Sequence, residues 1–276
     1  MPTSTYSYLP TVVKFLQAVR PESLLDIGLG NGKIGFIARD LLDVMLGERY
    51  RKKDWRVIID GIEVFGDYIQ AHQRAIYDDI HIGDAFEVID RLGEYDVVFL
   101  GDVLEHLEKE RAWVFLDKFL AHARACVILA IPLGEKWVQP EIYGNSHEEH
   151  LSFWNREELE PLAAEKEYLN FPNLGLYAVF MVPREDGQRV RAQQKADRLI
   201  AQGKNAEAIA LVEDAFSRLP PRLDSELYRV DLLLNAGRLR EAIARLEEAR
   251  RAFPEEESLG RFIEQLAAHP IRQTGP

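Results

Sequence analysis

The chain is 276 residues long with 47% apolar and 29% charged residues, a globular balance that excludes wholesale disorder. Its formal charge is −12, and residues 1–185 hold all of the deficit, 19 basic residues against 31 acidic. Nucleic acid is therefore disfavoured as a partner, because backbone binding needs Lys and Arg against phosphates. No apolar run reaches the roughly 18 residues of a membrane span. The opening MPTSTYSYLP has no apolar stretch of a secretory signal, and the single cysteine, Cys126, allows neither an internal disulfide nor a zinc grid. A cytoplasmic protein with no membrane and no nucleic-acid partner is the expectation.

Along the chain, Pro10 sits where a first helical turn tolerates it, and Val12, Phe15, Leu16 and Val19 follow at helical spacing until Pro21. Short apolar runs then read as strands: Leu24 to Ile27, Val57 to Ile59, His81-Ile82, Val97 to Leu100 and Val127 to Ile131. The basic stretch from Arg49 to Lys53 reads as a solvated loop. Between the strands, amphipathic segments of helical length fall near 33–46, 66–77, 85–91 and 107–123. Continuous apolar strands alternating with helices predict a parallel sheet covered on both faces. After Ile131 the rhythm changes to a long irregular stretch from Pro132 to Phe153, then a helix near 156–165 and a last strand from Leu176 to Val182. A loop of that length inside a domain is usually functional.

From about Gln188 the strands stop and the sequence repeats at a period of 34: Gly203 and Gly237, Ala208 and Ala242, Ala215 and Ala249, Pro220 and Pro254. Small residues at those places let two helices of a hairpin approach, Gly permits the turn, and Pro ends the second helix. This pattern resembles the tetratricopeptide repeat, in degenerate form, since Ala192 and Glu226 stand where the family carries an aromatic. Residues 255–268, with Leu259, Phe262, Ile263 and Leu266, read as a terminal capping helix. Two repeats and a cap fall short of the usual three-repeat minimum, so the repeats are expected to pack on the N-terminal domain or on another subunit.

The sharpest chemistry lies at LLDIGLGNGKIG, Leu24 to Gly35, where a strand runs through Asp26 into Gly28, Gly30, Asn31 and Gly32 before a helix. Glycines let the chain turn tightly and let a ligand approach without a Cβ in the way, and the helix start offers free N–H groups. A phosphate-cradling P-loop fails here, because Ile27 and Ile34 stand where Gly and Ser or Thr are needed. A dinucleotide fingerprint through Gly30, Gly32 and Gly35 expects an acid about 20 residues on, whereas Glu63 lies 28 after Gly35.

A third reading fits more of the chain. The glycine string, the second strand ending at Ile62-Glu63, Gly83-Asp84-Ala85 after the third strand, and Tyr95 to Phe99 leading to Asp102-Val103-Leu104-Glu105-His106 follow one another in order. Together they resemble the class I S-adenosylmethionine-dependent methyltransferases over roughly residues 22–131. The resemblance implies a Rossmann-like α/β sheet with helices on both faces and an antiparallel last strand, and S-adenosyl-L-methionine as cofactor. It implies donor contacts from Asp26, Gly28, Gly30, Asn31, Gly32, Glu63, Val64, Asp84, Ala85 and Asp102, with Glu63 on the ribose hydroxyls and Asp84 or Ala85 near the adenine. Residues 1–183 are then the methyltransferase domain, 188–270 an all-α helical-repeat domain, and 271–276 a tail.

Methyl transfer is an in-line displacement on an activated donor, so positioning and removal of an acceptor proton carry the catalysis. Asp102 and His106 follow the fourth strand, and histidine is the natural base near neutral pH. The segment PLGEKWVQPEIYGNSHEEHLSFW adds Trp137, Tyr143, Phe153 and Trp154 with His147 and His150, a set able to contact an acceptor or to pack the loop. Glu105 is expected to hydrogen-bond within its loop. His147 and His150 are spaced three apart with acids between, but the Asp-rich ligand sets of metal-dependent relatives are missing, so no metal is expected. The reading is methyl transfer to a small-molecule or glycan acceptor, with oxygen favoured. The alternatives are a protein methyltransferase whose repeats dock the substrate, and a donor-binding interaction module without turnover. The repeats are expected to serve a protein partner or self-association.

Overall fold

The computed structural model describes residues 4–142 and 144–268. Tyr143, one of the expected acceptor-side aromatics, residues 269–270 and the tail 271–276 lie outside the described residues. The chain divides into two compact units, Met1–Gly187 and Gln188–Pro276, with the division falling inside one helix.

In the first unit, helix α1 (Leu9–Val19) carries Pro10 in its first turn, buries Val12, Phe15 and Leu16, and ends at Arg20 in the left-handed region (φ 50°). Strands β1 (Ser23–Ile27), β2 (Ile58–Glu63), β3 (Asp79–Ile82), β4 (Tyr95–Gly101) and β5 (Ala123–Leu133) are parallel, linked by α2 (Lys33–Arg39), α3 (Ala71–Ile76), α4 (Ala85–Val88) and α5 (Lys109–His122). Beyond α6 (Arg156–Leu159) come β6 (Glu165–Phe171) and β7 (Gly175–Pro183), antiparallel to each other, with β7 antiparallel to β5. The sheet order is β3-β2-β1-β4-β5-β7-β6. This is a Rossmann-like, doubly wound α/β arrangement whose last strand, β7, runs against its neighbours. The order turns between β1 and β4, where ligands of such sheets sit at the strands' carboxyl ends.

Three expectations change. The helix expected over 156–165 stops early, as α6 and a 3₁₀ turn at Glu160–Leu162, because Glu165 onward forms the edge strand β6. The segments near 66–77 and 85–91 are each a short α-helix joined to a 3₁₀ turn. The segment near 33–46 passes from α2 into a π-helical stretch, Asp40–Met45. That wide turn carries Asp43 fully inside, where it accepts from Arg39 (2.6 Å), Arg49 (2.6 Å) and the Arg56 amide (2.9 Å).

The second unit contains most of α7 (Arg184–Ala201), then α8 (Asn205–Ser217), α9 (Leu223–Asn235), α10 (Leu239–Ala252) and α11 (Ser258–Ala268). The 34-residue period is visible in the hydrogen bonds. Gly203 (φ 75°) and Gly237 (φ 72°) turn the chain left-handed, and their amides donate to Ile200 (2.8 Å) and Leu234 (2.9 Å). The next amides, Lys204 and Arg238, reach back to Leu199 (2.9 Å) and Leu233 (2.8 Å). Ala208 and Ala242 are fully buried against Val212, Leu246 and Leu259. Among the described residues no helix is long and apolar enough to cross a membrane.

Candidate functional site

β1 delivers Asp26 and Ile27 to the carboxyl edge of the sheet, and the glycine loop begins there. Gly28 (φ 66°), Gly30 (φ 47°) and Gly32 (φ 75°) are all left-handed, a geometry that costs a residue with a Cβ. The Gly28 amide donates to Ile62 (2.9 Å), which ties the loop to the end of β2. Beneath the loop, Tyr77 donates its hydroxyl to Asp26 (2.5 Å) and accepts from the Gly35 amide (3.1 Å). A Cβ on Gly35 would lie 2.2 Å from the Tyr77 ring, so this glycine serves close packing. Asp26 is buried, and burial pushes its carboxyl up to about 7, against the Tyr77 bond and with Glu63 nearby adding to the rise.

At the end of β2, Glu63 is 5% exposed and spans two amides: Gly30 donates to one oxygen (2.9 Å) and Phe65 to the other (3.0 Å). Burial raises its pKa and those amides oppose the rise. Each oxygen keeps a lone pair beyond its amide bond. Val64 is exposed beside it. Asp84 caps α4 through the Phe86 amide (2.9 Å) and pairs with Arg111 (2.5 Å). Asp26, Gly28, Gly30, Asn31, Glu63, Val64, Asp84, Ala85 and Asp102 all line one cleft of about 530 Å³. Gly32 sits under the loop against Gln73 and Tyr77, outside that lining.

The opposite wall follows β4. Asp102 adopts φ 52°, a left-handed backbone uncommon for a residue other than glycine, and accepts from the Tyr177 hydroxyl (2.8 Å). A 3₁₀ turn at Leu104–His106 follows in place of an immediate α-helix. Glu105 is 2% exposed, and its carboxyl meets the Asp102 carboxyl within the same loop. Its backbone carbonyl accepts from the Leu151 (2.8 Å) and Ser152 (3.0 Å) amides and straps the later loop to this turn. Burial, then the neighbouring Asp102 acid, holds the Glu105 carboxyl well above the usual carboxylate range.

His106 and His150 meet edge to face with ring centroids 4.9 Å apart. Each ring engages a backbone carbonyl through Nδ1, His106 to Glu149 (3.1 Å) and His150 to Trp137 (2.6 Å). Burial lowers the His106 pKa to about 4, so the ring is neutral at physiological pH. His147 lines the cleft from an exposed 3₁₀ turn and is not part of this pair. Trp154, fully buried, packs on Trp113 at 4.8 Å and so holds the loop in place; it does not line the cleft.

Sequence reasoning missed the N-terminal side of the cleft. Ser4, Thr5 and Tyr8 line it, and Lys33 fastens that segment by donating to the Ser4 carbonyl (2.6 Å) with its ammonium 4.4 Å from the Tyr6 ring. Tyr8 stacks on Tyr177 at 5.6 Å, and Trp137 meets Tyr177 and Phe171 edge-on at 6.0 and 5.5 Å. Tyr6 and Tyr8 flanking a helical start were the available signal, but only tertiary packing brings them over the glycine loop.

The tetratricopeptide-repeat family model matches residues 199–266. No curated protein matches the chain in sequence. Among solved structures, the chain resembles a proposed O-methyltransferase of Nostoc punctiforme at 16% identity and TM-score 0.43, over 62% of this chain. The chain spans about half (54%) of that protein's length. It also resembles the magnesium protoporphyrin IX methyltransferase of Synechocystis, solved with SAH bound, at 14% identity and TM-score 0.45, over 66% of this chain and 89% of that one. A third likeness is to the N-methyltransferase NodS of Bradyrhizobium japonicum, at 11% identity and TM-score 0.43, over 66% of this chain and 99% of that one. These identities describe shape alone.

Proposed function

We propose that the first unit is a methyltransferase that binds S-adenosyl-L-methionine across the ends of β1, β2 and β4 and methylates an oxygen of a small-molecule or glycan acceptor. The observation that carries this reading is Glu63, a buried carboxylate held at the tip of β2 by the amides of Gly30 and Phe65, in the same cleft as left-handed Gly28 and Gly30. Such a carboxylate suits two adjacent ribose hydroxyls, as charge-assisted acceptor of both. The cleft's acids, Asp26, Glu63, Asp84 and Asp102, suit a cationic donor better than a pyrophosphate.

When bound, the donor supplies an electrophilic methyl group. The chain's own residues orient and exclude water: Asp26 and Tyr77 brace the glycine loop from below, and Ser4 to Tyr8 line the cleft from the N-terminal side. Trp137, Phe171 and Tyr177 offer ring faces and edges on which a sugar or planar acceptor stacks. His106, neutral through burial, lines the same cleft with His150.

Isothermal titration of the intact chain with S-adenosylhomocysteine tests the donor site, and absence of heat at millimolar ligand would remove it. Glu63→Ala is expected to weaken binding by about 1.5–3 kcal/mol, the scale for losing hydrogen bonds to a charged group. An unchanged affinity in that variant would show that the sugar lies elsewhere. The repeat match at 199–266 favours a second reading, a protein acceptor docked by the helical unit. Faster turnover of a protein acceptor than of any small hydroxyl compound would support it.

A further inference from the structure

We propose that Glu105, His106 and His150 form a binding site for one divalent cation that takes mixed nitrogen and oxygen ligands. One ligand atom from each of the three lies within 4.8 Å of the others. Three donors about 2.0–2.2 Å from one tetrahedral ion stand roughly 3.3–3.6 Å apart, so the cluster closes by at most about 1.5 Å as the ion enters. No motif announced it: Glu105 and His106 are adjacent on the turn after β4, whereas His150 arrives 44 residues later on the long loop. The strap from the Leu151 and Ser152 amides to the Glu105 carbonyl brings them together.

Two independent observations point to a cation. The first is Glu105, which is 2% exposed, lines the cleft and meets a second acid, Asp102, with no cationic side chain paired to it among the described residues. Two acids side by side in a buried place repel when both are ionised, and a divalent cation against Glu105 relieves that repulsion. The second is the way the two imidazoles are held. Each spends Nδ1 on a backbone carbonyl, Glu149 for His106 and Trp137 for His150. That contact sets the tautomer with the proton on Nδ1 and leaves Nε2 as the lone-pair nitrogen, the usual support of a metal-bound histidine. Two imidazoles and one carboxylate suit zinc, manganese, iron or cobalt, and leave open positions.

The position also narrows the acceptor, and here the inference rests on the methyl-transfer reading. The three residues face the cleft that holds Gly28 and Glu63. An open position on a cation there takes a hydroxyl oxygen, so the acceptor is an alcohol or sugar that ligates through the oxygen to be methylated.

Cobalt(II) is the probe. Titrated into the metal-free intact chain without donor, it is expected to bind at one equivalent and to develop visible d–d absorption. His106→Ala and His150→Ala are each expected to weaken it at least about tenfold, and His122→Ala to leave it unchanged. On the wild-type chain, diethyl pyrocarbonate followed by peptide mapping should show His106 and His150 protected by zinc while His122 is not, a readout that needs no variant to fold. No stoichiometric cobalt binding, undiminished binding by both folded ligand variants, or equal labelling with and without zinc would overturn the site. Donor titration separates the two ideas: SAH heat without cobalt binding ends this inference alone, and cobalt binding without SAH heat ends the methyl-transfer reading and the acceptor drawn from it while the cation site stands.

Discussion

Arg39→Ala is expected to destabilise the first unit by about 3–5 kcal/mol, the scale for removing one partner of a buried ion pair. Arg39 is 2% exposed and its guanidinium makes four bonds: to Asp43 (2.6 Å), the Val57 carbonyl (2.6 Å), the Ile76 carbonyl (3.1 Å) and Asp78 (2.7 Å). Its plane also lies over the Trp55 ring at 4.5 Å. The network ties the π-helical stretch after α2, the start of β2 and the end of α3 to one another. Alanine leaves Asp43, fully buried, with Arg49 and two amides as its remaining partners, and strands two carbonyls. Urea unfolding of the variant should show a lower midpoint at an unchanged slope. A loss below 1 kcal/mol would mean that water or Arg49 replaces the guanidinium.

The second large effect is a pH dependence centred on Asp26. Its carboxyl titrates near 7 in the folded chain, chiefly through burial, against an ordinary value of 3.8. A raised acid binds more protons folded than unfolded over that window, so stability falls as pH rises from about 4 to about 7 and is flat beyond it. The shift corresponds to a penalty on the order of 4 kcal/mol for the ionised form. Asp26→Asn keeps an oxygen for the Tyr77 hydroxyl and carries no such penalty. The variant is therefore expected to gain on the wild type by about 2–4 kcal/mol between pH 5 and pH 8. Parallel stability curves would show that Asp26 stays ionised at low cost. A cationic donor reverses the preference, so its affinity for the wild type is expected to rise with pH through 7 and to stay flat in Asp26→Asn.

The central parallel strands β1, β4 and the body of β5 were legible because each is buried on both faces, and a doubly covered strand is written as a run such as Val97 to Leu100. The glycine loop was legible because its left-handed turns exclude most side chains. β6 was not: Glu165, Lys166, Glu167 and Asn170 read as surface, and an edge strand with one open side needs no apolar run. The three ligand candidates were individually visible, yet their convergence depends on a backbone strap, Leu151 and Ser152 to Glu105, that no spacing encodes. Gly35 illustrates the reverse error. It completes a dinucleotide fingerprint on paper, while in the fold it is small because Tyr77 occupies the space of a Cβ.

The charged edge strand also limits how copies of this chain associate. Glu165 and Glu167 point to one face, where Lys14 (2.9 Å) and Thr11 (2.8 Å) of α1 engage them, and Lys166 points to the other, where Glu160 (2.7 Å) takes it. A second sheet laid along β6 would have to desolvate ionic groups above and below the ladder at once. Open-ended polymerisation through main-chain pairing is thereby disfavoured, and any assembly of this chain falls to surfaces other than that rim.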